Sequence, residues 1–279
     1  VLEIVSEHVS ASNRRFVVRL ADGALVESVL YRGDTLCVSS QVGCAVSCPF
    51  CASGANGFGR NLSADELIAQ VEQVALRGVT IERATVSGVG EPLHNHANVQ
   101  RFVAWCRERR IGPSLTTSGG PLSRLREWIH SHHNGLTISV HAGTEPVRAR
   151  AVPRGPRLDE LFATLHDELP RATSSRRKKI ALAYLLIQGL NDSEAEVDAF
   201  IERALPLRVM THLYDHNRVP TSSLHGVGGE RYSQVYERMT RAGLRVRMSS
   251  KARLEANGGC GTLVAVQDVR AIRRLSLAQ

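Results

Sequence analysis

The sequence predicts an α/β protein built on a mostly parallel sheet. After Thr35, short strand-like segments alternate with amphipathic helical ones, and the helical segments carry their own start and stop signals. Ahead of them, two alternating segments face each other across a Gly turn and predict a β-hairpin extension over residues 1–34. About six strand–helix units in succession allow an open doubly wound sheet or a barrel. In both, ligands sit at the carboxyl ends of the strands.

In the extension, "RFVVRL" and "ALVESVLYR" alternate apolar and polar residues around Ala21-Asp22-Gly23. "TLCVSS" (35–40) is the first strand of the repeating part, followed by a cysteine-rich loop. Ser63 and Glu66 then form a capping box, Leu67, Ile68, Val71, Val74 and Ala75 give the helix an apolar face, and Gly78 closes it. "RATVSGVG" reads as a strand, "HANVQRFVAWCRERR" as a helix, "PSLTTSG" as a strand and "PLSRLREWIHSHHN" as a helix. Strand "LTISVHA", loop "VPRGPR" (152–157), helix "LDELFATLHDEL" and strand "KKIALAYLLIQG" come next. A second capping box, Ser193 with Glu196, opens the helix of Val197, Phe200, Ile201 and Ala204. Strand "RVMTHLYDH", helix "SQVYERMTRAGL" and strand "RVRMSS" complete the pattern.

Composition narrows the class. With 43% hydrophobic residues in 279, the chain can bury one substantial core, which excludes disordered and fibrous types. It shows no membrane-length apolar run and no signal peptide pattern, so a cytoplasmic protein, not associated with membrane, is expected. In that compartment six cysteines suit metal binding or catalysis better than structural disulfides. The formal charge is +8, and arginines cluster at 107–110, 147–157, 176–179 and 245–253. Either a solvated surface or a polyanion partner accounts for this, and arginine's bidentate fork favours nucleic acid over membrane.

Four of the six cysteines, Cys37, Cys44, Cys48 and Cys51, crowd the first strand and the loop after it. Cys44, Cys48 and Cys51 have the spacing C-x3-C-x2-C, where a ligand site is expected. Three thiolates suit a soft metal or a cluster. A structural zinc needs a fourth ligand, for which a distant His94 or His141 would have to serve. A four-iron cluster held by three cysteines keeps one iron open. Cys106, inside an amphipathic helix, reads as core.

That spacing is the signature of radical S-adenosylmethionine (SAM) enzymes. Moreover, "TLCVSSQVGCAVSCPFCASGANGFGRNL", "GVGEPLHN", "TTSG", "SVHAGTEPVRARAVP", "LIQGLNDS" and "GGCGTL" resemble, in order, segments of the RlmN/Cfr family. These are radical SAM methyltransferases acting on adenine in ribosomal and transfer RNA. The resemblance runs from about residue 15 to about residue 265. It implies a partial (β/α)6 barrel of the TIM type, with the hairpin outside and the catalytic domain spanning 35–279.

The resemblance also implies roles. Cys44, Cys48 and Cys51 hold a 4Fe-4S cluster whose open iron chelates SAM. Gly90, Glu91, Thr116, Ser139, Val140, His141 and Asn217 match SAM contacts, Glu91 receiving the ammonium. Cys260 matches the cysteine that is methylated and carries the carbon to RNA. Cys37 matches its partner, which displaces Cys260 through a transient disulfide, and Glu27 matches the proton acceptor. The carbon reaches C2 or C8 of an adenosine in rRNA or tRNA, with "GEP" and "TTSG" closer to the C2 branch. An electron donor such as flavodoxin or ferredoxin and a monomeric state are further expectations. Residues 1–279 include no match to the family's usual N-terminal helical domain, and they depart from the family in Asp215-His216 where Pro-Phe is usual and in Ser87. A non-RNA substrate, or a zinc-containing RNA-binding module, are the alternatives.

Overall fold

A computed structural model describes residues 2–55, 57–250 and 261–263. The chain opens with three antiparallel strands, β1 (Glu3–Val9), β2 (Asn13–Arg19) and β3 (Leu25–Tyr31). The expected hairpin is therefore a three-stranded meander, since Glu3 to Val9 also pairs with β2. β4 (Thr35–Val38) lies antiparallel to β3, with Val29 opposite Cys37. A separate two-stranded ribbon, β5 (Gln41–Gly43) and β6 (Phe58–Asn61), brackets the cysteine loop.

From there strands and helices alternate: α1 (Ala64–Ala75), β7 (Arg83–Val86), α2 (His96–Glu108), β8 (Gly112–Thr117), α3 (Leu122–His130) and β9 (Gly135–Ser139). Three helices then precede the next strand: α4 (Glu145–Ala151), α5 (Leu158–Glu168) and α6 (Ser174–Arg177). The described elements end with β10 (Ile180–Leu186), α7 (Glu194–Ala204), β11 (Met210–Asp215), α8 (Gly229–Arg241) and β12 (Arg245–Met248).

The main sheet runs β1-β2-β3-β4-β7-β8-β9-β10-β11-β12, and every pair from β4 to β12 is parallel. Strands that add in chain order at one edge through right-handed crossovers place all helices on the same face. The sheet thus curls as an open barrel. Among the described residues β12 pairs only with β11, so the barrel does not close onto β4.

Alternation along each strand divides the residues. Ala84, Val86, Leu115, Leu136 and Ile138 point to the helices and join one apolar core with Trp128, Phe102 and Leu67. Cys106 belongs to that core, and burial pushes its thiol up to about 12. On the other face Thr35, Arg83, Thr85, Ser114 and Thr116 line a cavity. The barrel interior is therefore an open cavity of mixed polar and apolar lining, unlike the packed centre of a closed (β/α)8 barrel.

The first capping box is complete: Glu66 N donates to Ser63 Oγ (3.1 Å) and Ser63 N to Glu66 Oε2 (2.8 Å). The second is only half formed. Glu196 N donates to Ser193 Oγ, but the Glu196 carboxylate instead accepts from Gly143 N, Thr144 N and Thr144 Oγ1. It braces the two residues just ahead of α4, a helix that local periodicity does not show, and thereby ties the start of α4 to α7. Among the described residues no helix is long and apolar enough to cross a membrane.

Candidate functional site

A cavity of about 440 Å³ occupies the barrel interior. Its upper wall is the loop between β5 and β6. Cys44 N donates to Gly57 O and Cys51 N to Cys48 O, which folds the loop back on itself. Gly43 is required at the loop's neck, where φ is +73° and a Cβ would lie 1.9 Å from Gly57 O. Cys44, Cys48 and Cys51 all face the cavity, and they pack behind on Val46, Phe50, Val152 and Ile187. Burial pushes the Cys44 thiol up to about 12 and the Cys48 thiol well above its usual range.

This is a half-buried, sulfur-only donor set, suited to thiolate-bound iron and not to hard cations. Among the described residues no three His, Cys, Asp or Glu side chains stand close enough to hold a single ion. Three thiolates from one loop fit a multi-iron cluster, which takes one cysteine per iron. His141 lines the cavity, whereas His94 does not.

Glu91 follows β7 and is buried at 4% exposure. Its Oε1 accepts from Thr117 Oγ1 (2.5 Å) and Leu93 N (3.1 Å), and its Oε2 from Ser118 N (2.7 Å). The carboxylate therefore pins the end of β8 to the end of β7, and Oε2 keeps a lone pair for a ligand cation. Gln41 Oε1 fixes Glu91 N at 2.8 Å. Gly90, at φ +114°, allows this approach, because a Cβ there would lie 2.7 Å from Gln41 Cβ and Ser40 Oγ.

At the end of β9, Ser139 and His141 line the cavity. His141 Nδ1 accepts from Leu185 N (3.0 Å), and burial lowers its pKa to about 3. The ring is thus neutral, with its proton on Nε2. Its backbone has φ +58°, a strained value that the paired N–H to Ala183 O and the Asn191 contact to its carbonyl hold in place. Thr116 and Asn217 also line the cavity. Val140 does not: its side chain is in the core, its N–H is bound to Ala183 O, and its carbonyl accepts from Arg148.

Arg148 was counted among the surface arginines by sequence, yet it is 1% exposed. Its Nη1 donates to Ser139 O (2.7 Å) and Val140 O (2.8 Å), and its Nη2 to Ser118 O (2.7 Å). It locks the ends of β8 and β9 together. Burial lowers its pKa to about 10, so it stays charged, and that charge acts on Cys48 and Glu91.

Cys37 is buried beneath the cavity wall among Val29, Val89 and Leu263, with Sγ 3.2 Å from Ser87 Oγ. Glu27 lies two residues from Val29 along β3, so strand alternation puts it on the same face as Cys37. Its carboxylate is also buried and accepts from Arg15 Nη1 (3.0 Å). Cys260 lies outside the described residues. The residues just after it do not: Ala52 N donates to Gly261 O (2.9 Å) and Ser53 Oγ to Leu263 O (3.0 Å), and Leu263 covers Cys37.

Residues 38–201 match the model of the radical SAM superfamily. A "Probable RNA methyltransferase" of Aromatoleum aromaticum is 32% identical over 268 residues, which are 94% of this chain and 75% of that protein. The chain belongs to the radical SAM RNA methyltransferase family. A solved radical SAM methyltransferase from Sphaerobacter thermophilus superposes with a TM-score of 0.85 at 28% identity, over 95% of this chain and 82% of that one. Streptococcus suis SuiB, solved with S-adenosylmethionine, shares the fold alone, with a TM-score of 0.59 at 12% identity over 78% of this chain and 50% of that one.

The cofactors of this radical SAM enzyme are a 4Fe-4S cluster and SAM. Membership also removes the reading as a non-catalytic zinc module. Thr117, Ser118, Gln41 and Arg148 went unnoticed in the sequence as parts of the site. Thr117, Ser118 and Gln41 reach Glu91 across 26, 27 and 50 residues, and Arg148 reaches Ser118 across 30, separations for which no local spacing is a signal.

Proposed function

We propose that this enzyme methylates an adenosine of rRNA or tRNA at C2, with C8 as the alternative position, using Cys260 as the methyl carrier. The observation that carries this reading is the placement of Gly261 to Leu263. Gly261 lines the cavity, Leu263 seals Cys37, and Cys260 is one peptide bond from Gly261. The segment next to Cys260 therefore lines one cavity with the three-cysteine loop and packs on Cys37 beneath the cavity wall.

The bound cluster and SAM supply the methyl group and the one-electron chemistry that activates it. The chain's own residues do the rest. Cys44, Cys48 and Cys51 hold the cluster. Glu91 Oε2 meets the SAM ammonium, Gly90 and Thr116 admit its chain, and Ser139, His141 Nε2–H and Asn217 orient the remainder. The backbone of Val140 positions Ser139 and His141 without touching the ligand. Cys37 forms an S–S bond with Cys260 as the bond from the Cys260 sulfur to the transferred carbon breaks, and Glu27 receives the proton that leaves the base. The freed carbon takes up a proton to become the methyl, and the reductant returns the disulfide to two thiols. We also assign residues 1–34 to an accessory unit on the catalytic domain 35–279, a cytoplasmic site of action, a flavodoxin or ferredoxin as reductant, and a monomer.

The test is anaerobic reconstitution with iron and sulfide, incubation with SAM and total RNA, and mass spectrometry of the digested nucleosides. A methyladenosine carrying the new methyl on carbon is expected. Its absence, with SAM cleaved on a different added substrate, would support the non-RNA alternative.

A further inference from the structure

The cavity that takes SAM carries three guanidinium groups and one carboxylate. Arg32 follows β3, Arg83 opens β7 and Arg247 lies on β12, and Glu91 is the carboxylate. Arg83 shares the inward face of β7 with Thr85, and Arg247 stands opposite His212, another cavity residue. All three arginines are exposed, and among the described residues none has a side-chain hydrogen bond or a salt bridge. This contrasts with Arg60, Arg126 and Arg238, each of which is held by a carboxylate.

Three unpaired cations converging on one concave surface raise its potential and attract an anion. SAM is not that anion: its sulfonium and ammonium outweigh its carboxylate, leaving it cationic. Among the described residues the sheet does not close, and the arginines come from both sides of that gap, Arg247 from β12 and the other two from the β3–β4–β7 side. A guanidinium fork matches a phosphodiester, and a strand crossing this gap would offer several in a row. Tyr31, beside Arg32, adds a ring on which an unstacked base can rest.

We propose that Arg32, Arg83 and Arg247 grip the phosphates flanking the target nucleotide, so that single-stranded RNA crosses the open side of the barrel and its base turns inward toward Cys37. This rests on the RNA reading above. Turning the base out of its stack costs a few kcal/mol, which phosphate contacts on both sides offset.

The experiment is filter binding of a short single-stranded RNA containing one adenosine, over a series of salt concentrations. Arg32→Gln, Arg83→Gln and Arg247→Gln should each weaken binding about fivefold and lower the slope of log K against log salt by about 0.7. The Lys replacements should keep the slope, because they keep the charge. Arg176→Gln and Arg177→Gln, on α6 and away from the cavity, should leave both quantities unchanged. Iron content and thermal midpoint check that each variant is folded, and any Gln variant that fails is replaced by its Met counterpart. A triple Gln variant with the wild-type slope overturns the proposal while leaving the RNA reading intact. A wild-type enzyme that binds no RNA overturns both.

Discussion

Cys37 Sγ lies 3.2 Å from Ser87 Oγ, and Ser87 Oγ in turn accepts from Thr85 Oγ1 at 3.2 Å. A hydroxyl that has accepted one hydrogen bond is a better donor for the next, so the chain Thr85–Ser87–Cys37 would support a thiolate at Cys37 when that sulfur is deprotonated for attack. It also fixes the rotamer of a side chain that must attack along one line. Ser87→Ala should slow release of RNA product about tenfold, the worth of one hydrogen bond to a charged group, with little change in KM. Ser87→Thr should recover most of the rate. Single-turnover methylation measured against SAM cleavage checks this, and equal losses in both would point to a structural effect.

Cys37 and Cys260 should give opposite trapped species. Cys260→Ala removes the carrier, so neither methylated protein nor methylated RNA is expected. Cys37→Ala leaves the carrier intact but removes its displacement, so RNA should stay covalently attached through Cys260. A denaturing gel with and without ribonuclease, followed by peptide mass spectrometry, reads the difference. Two merely packed thiols would instead give similar mild losses of stability and no bound RNA.

Replacing any one of Cys44, Cys48 and Cys51 by Ala should abolish iron loading and SAM cleavage. With three protein ligands on four irons, none is spare. Iron and sulfide assays on anaerobically reconstituted protein test it. A double variant with full iron and sulfide would overturn the ligand assignment.

Arg148→Met should cost at least about 3 kcal/mol of stability, because the buried carbonyls of Ser118, Ser139 and Val140 lose their donor. Arg148→Lys should recover less than half of that, since one ammonium cannot span two strand ends in the manner of a planar fork. Urea unfolding of the three proteins measures it.

His133 sets a pH dependence away from the site. It is 4% exposed, and burial, with Lys179 nearby, lowers its pKa to about 4. Unfolded, it titrates near 6.5, so its contribution to stability is complete above that pH. As pH falls toward 4, the unfolded chain takes up a proton that the folded chain refuses, and stability drops by about 1.4 kcal/mol per pH unit. His133→Leu should remove that part of the slope in urea unfolding between pH 7 and pH 5. An unchanged slope would mean that His133 does not titrate on unfolding.

How much of this was legible in the sequence depended on distance along the chain. The parallel strands and their helices showed in local periodicity, and the cysteine loop showed in a spacing of eight residues from Cys44 to Cys51. "EIVSEHV" was missed as a strand because its pairing with β2 adds a third strand to an extension whose turn signal suits two. Arg148 looked like its surface neighbours because nothing in "VRARAVPRGPR" marks the one side chain that turns inward. Glu196 had the position of a capping-box residue but bonds to a loop 52 and 53 residues away. In each case tertiary contact overrode a reasonable local reading.

The seal over Cys37 has a consequence for how the protein is made. Ser53 is bonded to Leu263 across 210 residues, so this contact forms only once residue 263 has left the ribosome. The cysteine loop and the first parallel strands emerge far earlier. Until the distant segment arrives, Cys37 lacks the Leu263 side chain that covers it. The nascent chain thus passes through a stage in which the loop proposed to hold the cluster has emerged and the cysteine proposed to attack Cys260 still lacks its cover. Delivery of iron and sulfide during synthesis would find the loop before the door behind it had shut.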